Sequence, residues 1–504
     1  MNLAPQHTIT EPELEAGLHR LVNEAVYSSA TTALTSGVIL TAFALHLGAS
    51  NMMIGILASA PFLTQLLQGP AILLVERLRQ RKRISVLSSV VGRSMLALMA
   101  AGAFLPPAIA IGVVVLAQFV LCGMGAVGSC AWNAWLRDLA PQERLGSIFA
   151  RRTVYATVVA LFVGLAAAFI LDRAPAGSST RSLLFAILYV AGCIAGLVSA
   201  VVVARMPEPE MPPQPPEPLG LFALLREPLS NRNFRRLVAF LSSWQFAVNL
   251  ATPFFTVFLV RQLGFDMTFV MILSVVSQVA NLVALRHWGA LSDRFANKSV
   301  LTLVAPTYIL CIIGMIGASQ IESRQWLIVY LVGLHFYMGT AVAGVTLATT
   351  NIALKLSPKG SATAYVATSA FASAFAAGVA PILGGLFADF FSARAFELLI
   401  RWTSPEGVTL LKPLRLSNWD FYFLMAAVLG LYAIHRLSLV EETGEIERRE
   451  MLQQVLHQTR RSVRNLSTVA GLRALTEWPA TLTRDAHLRA RWRRRQAARA
   501  SDIS

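Results

Sequence analysis

Two ionisable side chains lie deep inside long apolar stretches of the sequence, where a charged group is costly and usually serves a function. Arg93 and His335 each stand well inside their stretch, far from either end. An arginine at that depth could bind an anionic group, although its long stem would also let the charge reach toward water. The imidazole of His335 can titrate near neutral pH and could carry a proton, although hydrogen-bonded packing is the commoner role of a buried histidine.

The acidic residues and cysteines of these stretches add little further chemistry. Glu24, Asp389 and Asp420 fall at the ends of stretches, so the sequence predicts no buried carboxylate relay for protons. The four cysteines form no CxxC pair, which argues against a zinc site. The sequence contains no HExxH, HxxxxD or GxSxG motif and no phosphate-binding loop. We therefore expect no metal, no cofactor and no enzymatic activity.

The composition places these residues in a membrane protein. Of the 504 residues, 55% are apolar and 14% are charged, and the mean hydropathy is +0.58. An ordinary soluble domain has roughly 45 to 50% apolar and about 25% charged residues. Because about 20 apolar residues cross a bilayer as a helix, the sequence predicts twelve segments, at 25–48, 51–75, 84–104, 108–135, 153–171, 182–204, 237–260, 267–288, 299–319, 326–354, 361–388 and 420–436.

The basic residues of the loops predict the orientation of these helices. Eighteen Lys and Arg residues occupy alternate loops, and eight occupy the other set, four of them in the long loop before the last segment. Loops rich in Lys and Arg remain in the cytoplasm. We therefore expect both termini in the cytoplasm and the chain in the cytoplasmic (inner) membrane.

An internal repeat organises the twelve segments. The second and eighth end in the acid-arginine pairs Glu76-Arg77 and Asp293-Arg294, and the prolines Pro141 and Pro358 recur at the same spacing after the fourth and tenth. Two halves of six helices follow, which is a transporter architecture. The predicted fold is an all-α membrane protein with twelve transmembrane helices in two pseudo-symmetric six-helix bundles. The expected parts are a cytoplasmic N-terminal segment, the first bundle, a Pro-rich cytoplasmic linker, the second bundle and a basic cytoplasmic tail, at 1–23, 24–205, 206–236, 237–436 and 437–504.

The stretch from Gly289 to Lys298, with Asp293-Arg294 inside it, resembles the GxLxDRxGxK signature of the major facilitator superfamily. It stands between segments eight and nine, where that family repeats the motif. The resemblance covers residues 24–436 and implies the major facilitator fold of secondary transporters.

Other stretches resemble motifs of the same family. The first-half copy of the signature departs from it at three positions, where Ile72 and Arg79 replace glycines and Glu76 replaces the aspartate. The stretch 132–146 resembles the fourth cytoplasmic-side stretch of many bacterial members. The glycine-proline residues at 378–385 are similar to part of an antiporter motif, although antiporters carry that motif in the fifth segment.

The resemblance implies gating roles for charged residues near the ends of the segments. In that family the motif carboxylate faces the N-terminus of a neighbouring helix, a contact worth roughly 0.3 to 2 kcal/mol, and the arginines hold the same cytoplasmic seam closed. Ordinary topology determinants remain the alternative interpretation. The residues concerned are Glu76, Arg77, Asp138, Arg144, Asp293, Arg294 and Lys298.

Segments one, four, seven and ten line the substrate path in the resembled family. Their polar and aromatic side chains are mostly uncharged, which suits a neutral or weakly charged, amphipathic solute. Small polar residues also serve helix packing in membranes. The candidates for the substrate path, with the buried arginine added, are Arg93, Thr35, Trp244, Gln245, Asn249, His335, Tyr337 and Asn351.

The residues after Leu437 are polar and strongly basic. An amphipathic stretch at 446–475 could lie on a membrane surface, and the arginines at 489–499 would be attracted to anionic lipid by about 1 kcal/mol per charge. Nucleic acid would attract them similarly. Because no folded reader accompanies them, we expect no nucleic-acid partner, and either attraction to lipid or a solvated, disordered end is the preferred interpretation.

The leading hypothesis is a secondary active transporter that moves a small organic solute by alternating access, as a monomer. A membrane-embedded enzyme that modifies lipid is one alternative. A non-transporting scaffold or sensor that acts through the basic tail is the other.

Overall fold

The first six spans form one half of the molecule. The structure, a computed structural model, describes residues 4–7, 9–139, 141–211, 226–358, 362–404, 407–417 and 419–442. The first span consists of α1 (Glu11–Thr35) and α2 (Val38–His46), and the second of α3 (Asn51–Leu63), a 3-10 turn (Thr64–Leu67) and α4 (Gln68–Leu78). The next four are α5 (Arg81–Gly102), α6 (Pro107–Leu139), α7 (Gln142–Asp172) and α8 (Ser179–Ala204).

The last six spans form the other half. They begin with α9 (Arg232–Val257), which continues into a π-helical turn (Phe258–Gln262). The others are α10 (Met267–Arg294), α11 (Asn297–Ala318), α12 (Arg324–Lys355), α13 (Ala362–Phe391) and α14 (Trp419–Ser438). Twelve helical stretches of the described residues are long and apolar enough to cross a membrane, which confirms the predicted number.

The two halves use the same helix contacts. In the first half, α1 packs against α7 and α8, and α5 packs against α6 and α8. In the second half, α9 packs against α13 and α14, and α11 packs against α12 and α14. Equivalent helices also keep the spacing of the sequence repeat to within one residue. The helices α3 and α10 begin at Asn51 and Met267, and α5 and α11 begin at Arg81 and Asn297. The predicted two-bundle fold is therefore confirmed.

The halves meet near one end of the spans. We call the side on which α1 begins and α14 ends the terminal side, and the opposite side the hairpin side. In the hairpin-side half of the spans, α3 packs against α13 and α7 against α10. A Cβ atom at Gly55 would lie 2.1 Å from the carbonyl oxygen of Pro381, and one at Gly385 would lie 2.5 Å from that of Asn51. The α3 and α13 backbones can approach this closely because both positions are glycine.

The first span differs from its prediction at both ends. The helix begins at Glu11, well before the predicted start at 25, because Thr10 and Glu13 form a capping box. It breaks before the predicted end, since Gly37 has a left-handed φ of 58°. These signals lie in polar or single residues, which a search for long apolar runs does not detect. The prediction that Glu24 lies at a helix end is therefore wrong.

A β-hairpin stands between α13 and α14, where the sequence predicts only a long loop. Strand β1 (Ala395–Ser404) pairs antiparallel with β2 (Gly407–Ser417), from Ala395 opposite Ser417 to Ser404 opposite Gly407. Phe396, Leu398 and Ile400 alternate with other residues, as in a strand. The hairpin has no counterpart in the described α7–α8 connection, residues 173–178.

Candidate functional site

A cavity of about 780 Å³ lies between the two halves near the middle of the spans. Helices α1, α2, α3, α6 and α7 line it from the first half, and α9, α10 and α12 from the second. None of the described residues that line it is Asp, Glu, Lys or Arg. Its hydrogen-bonding side chains are Thr32, Ser36, Thr41, Gln118, Thr157, Thr252, Thr256, Ser274, Ser277, Gln278, Asn281 and His335.

The break in the first span lies in the wall of this cavity. Ser36 and Gly37, which separate α1 from α2, are both lining residues. The break frees backbone groups from helical hydrogen bonds, although Thr41 donates its backbone N–H to the Gly37 oxygen at 3.1 Å. Irregular backbone at this depth is tolerated where it lines a cavity, and transporters bind substrates at such breaks.

Gln118 on α6 presents an unused acceptor at the cavity. The side chain is buried, and its amide nitrogen donates to the sulfur of Cys122 at 3.3 Å. Its amide oxygen is buried without a hydrogen-bond partner among the described residues. Because buried polar atoms are rarely left unpaired, this oxygen is suited to accept a hydrogen bond from a bound solute.

His335 on α12 also lies in the cavity wall, and only 7% of its surface is exposed. Its Nδ1 is 2.9 Å from the carbonyl oxygen of Leu331. A carbonyl can only accept, so Nδ1 carries the hydrogen and Nε2 of the neutral ring is an acceptor. The structure therefore gives the imidazole both a packing contact and a face on the cavity.

The other predicted path residues lie outside the central cavity. Trp244 and Gln245 line a cavity of about 400 Å³ in the second half, which shares Val342 with the central one. Tyr337 is 61% exposed on the helix surface. The remaining polar candidates bond within their own half: Thr35 to the Thr31 oxygen at 2.7 Å, Asn249 to the Gln245 oxygen at 2.8 Å and Asn351 to Ser292 at 3.4 Å.

Arg93 lines a separate cavity of about 270 Å³ inside the first half. Its guanidinium donates to the Gly196 oxygen at 2.5 Å. Glu24 lies at the same cavity, with 5% of its surface exposed, 3.1 Å from the guanidinium of Arg152. Ser199 also donates to the Glu24 carboxylate, at 3.4 Å. The first half thus holds a buried carboxylate inside the helix of its first span, contrary to the prediction that Glu24 lies at a helix end.

On the terminal side, some of the predicted gating residues have described contacts. These residues form their polar contacts within their own half. Asp138 accepts from the fully buried Arg81 at 2.5 Å, and Arg144 forms an ion pair with Glu15. Arg81 also donates its backbone N–H to Glu208 at 2.7 Å. Burial raises the pKa of the Glu208 carboxyl, while the hydrogen bonds from the backbone of Lys82 and Arg81 act in the opposite direction.

The second-half signature is only partly described, because the side chain of Asp293 lies outside the described residues. The guanidinium carbon of Arg294 lies 5.4 Å from the centre of the Phe295 ring. The backbone N–H of Lys298 donates to Glu442 at 2.7 Å. Glu76 and Arg77 are exposed at the end of α4. The gating role of these residues stays a prediction.

Arg79 shows why the family signature has a glycine at its position. It ends α4 with a φ of 51°, the one left-handed non-glycine residue in the described chain. A side chain in this conformation costs roughly 1 kcal/mol. Its guanidinium donates to the Met211 oxygen at 2.6 Å, which ties the start of the linker to the first half.

The sequence interpretation misses the contribution of α10 to the central cavity. Ser274, Ser277, Gln278 and Asn281 recur at intervals of one helical turn in an otherwise apolar segment. Such a polar stripe indicates a face turned away from lipid. The signal is present in the sequence, but the family resemblance directs attention to segments one, four, seven and ten alone.

The fold and the central cavity define a multi-pass membrane protein of the transporter class. The sequence-family model of the Major Facilitator Superfamily matches residues 25–381 of this chain. The chain belongs to this superfamily, which confirms the resemblance of its motifs. No curated protein matches the sequence.

Solved transporters share the fold at low sequence identity. The nucleoside transporter NupG is 13% identical, with a TM-score of 0.63 over 84% of this chain and 99% of that chain. A D-xylose-proton symporter is 14% identical, with a TM-score of 0.59 over 86% and 99%. The fucose:proton symporter of E. coli is 15% identical, with a TM-score of 0.51 over 84% and 98%.

Proposed function

We propose that this protein is a secondary active transporter of a small organic solute that is neutral or weakly charged and rich in hydrogen-bonding groups. The observation that carries the proposal is the central cavity. Its volume of about 780 Å³ falls within the range of small-molecule sites, and uncharged polar groups dominate its hydrogen-bonding surface.

The polar atoms of the cavity favour a neutral solute with hydroxyl or amide donors. The unpaired Gln118 oxygen and the Nε2 atom of His335 are both acceptors. A charged solute would lose its hydration without gaining an opposite charge among the described lining residues, which is costly. The nucleoside, xylose and fucose named for the structural neighbours are likewise solutes with many hydrogen-bonding groups, which supports this class.

The cavity favours transport over the two alternatives. An enzyme would need a nucleophile and a base within hydrogen-bond reach of one another, whereas the described cavity wall offers scattered threonine, serine and amide groups around one histidine. A scaffold that acts only through the basic tail would not need a solute-sized cavity between two pseudo-symmetric halves. The basic tail and its proposed contact with anionic lipid lie outside the described residues.

The orientation proposed from the loop charges can be tested directly. A reporter enzyme that works only in the cytoplasm is expected to be active when fused after Leu437 and inactive when fused after Arg173, because the terminal side carries most of the loop Lys and Arg residues. The two fusions control for each other's expression. The reverse pattern of activity would place the termini outside and contradict the proposal.

The proposed substrate class predicts a specific loss at Gln118. A panel of sugars, nucleosides and polyols, with organic acids and amines for comparison, is screened for solutes that raise the melting temperature of the purified protein, since ligands stabilise the folded state. We expect a neutral solute to do so. Gln118→Leu is expected to weaken its binding roughly tenfold, because one hydrogen-bond acceptor is lost.

Gln262→Leu is the matched control. The amide oxygen of Gln262 is also buried and unpaired among the described residues, but Gln262 lies at the end of the π-helical turn, outside the cavity lining. Equal losses in both variants would mean that Gln118 has no specific contact with the solute. Stabilisation by charged solutes alone would reject the proposed class.

A further inference from the structure

Two carboxylates on the hairpin side each cap a helix that belongs to the other half. Asp389, near the end of α13, accepts from the backbone N–H groups of Asn51 and Met52 at 3.1 and 2.9 Å. These N–H groups are the first two of α3 and have no helical acceptor of their own. The contact therefore joins the second half to the first.

Asp172 makes the symmetry-related contact. It is the last residue of α7 and accepts from the backbone N–H groups of Met267 and Thr268 at 3.0 and 2.6 Å, at the start of α10. The Thr268 hydroxyl donates to the same carboxylate at 2.6 Å. Asp172 and Asp389 are separated by the same spacing as the acid-arginine pairs that mark the sequence repeat. We call these two carboxylates with their helix starts the paired latch.

The paired latch is additional to ordinary helix capping. The side chain of Ser50 already caps α3 by accepting from the N–H of Met53 at 3.2 Å. The side chain of Asp266 caps α10 in the same way, from Phe269 at 2.8 Å. Each of these local caps accepts from the third N–H of its helix, whereas the carboxylates of the latch accept from the first two. Their charge lies at the positive end of a helix dipole and forms charge-assisted hydrogen bonds between the halves.

Arg261 adds further hydrogen bonds between the two halves on the hairpin side. It extends from the π-helical turn after α9 and donates to the Ala49 oxygen at 3.0 Å and to the Asn51 side chain at 3.3 Å, again between the halves. On the terminal side, in contrast, the described ion pairs Arg144–Glu15 and Arg236–Glu441 are each within one half. The described polar contacts that join the halves therefore concentrate at the hairpin side.

We propose that Asp172 and Asp389 act together as the latch that keeps the cavity closed toward the hairpin side, and that both contacts must break when that side opens. This inference rests on the alternating access of the proposed function. Each half packs as one bundle, so separating α3 from α13 also separates α7 from α10. The strength of the two contacts then sets the ratio of open to closed molecules on this side.

The test measures this ratio without a solute, so it stays informative whatever the substrate is. Spin labels are placed at Leu105 and Glu322, in hairpin-side loops of the two halves, after the four native cysteines have been replaced by serine. Electron-spin distance measurements then give the fractions of short and long separations. Asp172→Asn and Asp389→Asn are each expected to raise the ratio of long to short separations roughly tenfold, because each removes a charge from a helix start.

The matched controls alter caps of the same helices that do not cross between the halves. Asp266→Asn and Ser50→Ala alter the starts of α10 and α3 and should leave the distance distribution unchanged. Thr268→Val removes one of the three bonds to Asp172 from the other side, and should shift the distribution in the same direction but less. It also keeps the test decisive if an aspartate variant fails to fold.

Two results would overturn the latch. One is an unchanged distance distribution in the folded aspartate variants or in Thr268→Val. The other is an equal shift in the capping controls, which would show that helix stability rather than the cross-contact matters. A shift limited to the latch variants would support it, even if no solute from the panel binds.

Discussion

Gly55→Ala is expected to lose the conformation closed on the hairpin side and to lower the melting temperature of the protein by several degrees. The new Cβ would lie 2.1 Å from the carbonyl oxygen of Pro381, far inside van der Waals contact. The atom it meets belongs to a helix backbone, so α3 and α13 must move apart as units. Overpacking of this kind costs about 1 to 3 kcal/mol. Here it destabilises the conformation in which α3 and α13 are in contact.

Gly112→Ala provides the control for this substitution. Gly112 is also a helical glycine, but a Cβ built on it meets no atom within 4 Å. Alanine favours a helix over glycine, so this variant should melt at the same temperature or slightly higher. The same spin-label pair reports the separation of the halves in both variants. An unchanged spin-label separation and an unchanged melting temperature in Gly55→Ala would show that the helices can accommodate the methyl group.

Arg152→Ala is expected to destabilise the protein by about 3 kcal/mol, because it leaves the Glu24 carboxylate buried without its partner. The two side chains lie 3.1 Å apart between α1 and α7, and Glu24 is nearly inaccessible. The double variant Glu24→Gln with Arg152→Ala removes both charges and should recover most of the loss. Stability is followed by thermal and denaturant unfolding in detergent.

A second ion pair on the same two helices tests whether burial of the carboxylate, rather than loss of an ion pair, causes the destabilisation. Arg144 on α7 and Glu15 on α1 also form an ion pair, but both side chains are exposed. Arg144→Ala should therefore change the stability little, since exposed pairs contribute little. If Arg144→Ala and Arg152→Ala lower the free energy of unfolding equally, the buried position of Glu24 is not the cause of the loss.

The number of spans and their duplication are predictable because each depends on many residues. An apolar run of membrane length is a sum over about 20 side chains, and the acid-arginine pairs at Glu76 and Asp293 mark the repeat directly. The family signature can be recognised for the same reason. The fold class requires no knowledge of any single contact.

The positions of individual site residues are less predictable, because they depend on helix rotation and on pairs far apart in sequence. His335 lies at the central cavity, whereas Trp244, a candidate for the same path, lines a neighbouring cavity. Glu24 resembles a helix end in the sequence because the capping box at Thr10 lies outside the apolar run. Asp172 and Asp389 stand at the ends of apolar runs, and nothing in the sequence shows that each meets a helix start of the other half.

The β-hairpin bears on how the chain arose by duplication. Up to the end of α13 the two halves stay in step, but α14 begins at Trp419 while its counterpart α8 begins at Ser179, a wider separation than that of the preceding pairs of helices. The extra residues correspond to the hairpin, which replaces the short connection at 173–178. Either the second copy acquired this segment after the duplication or the first copy lost it. The hairpin therefore records a later event in the history of a gene whose twelve described spans still preserve its two-fold origin.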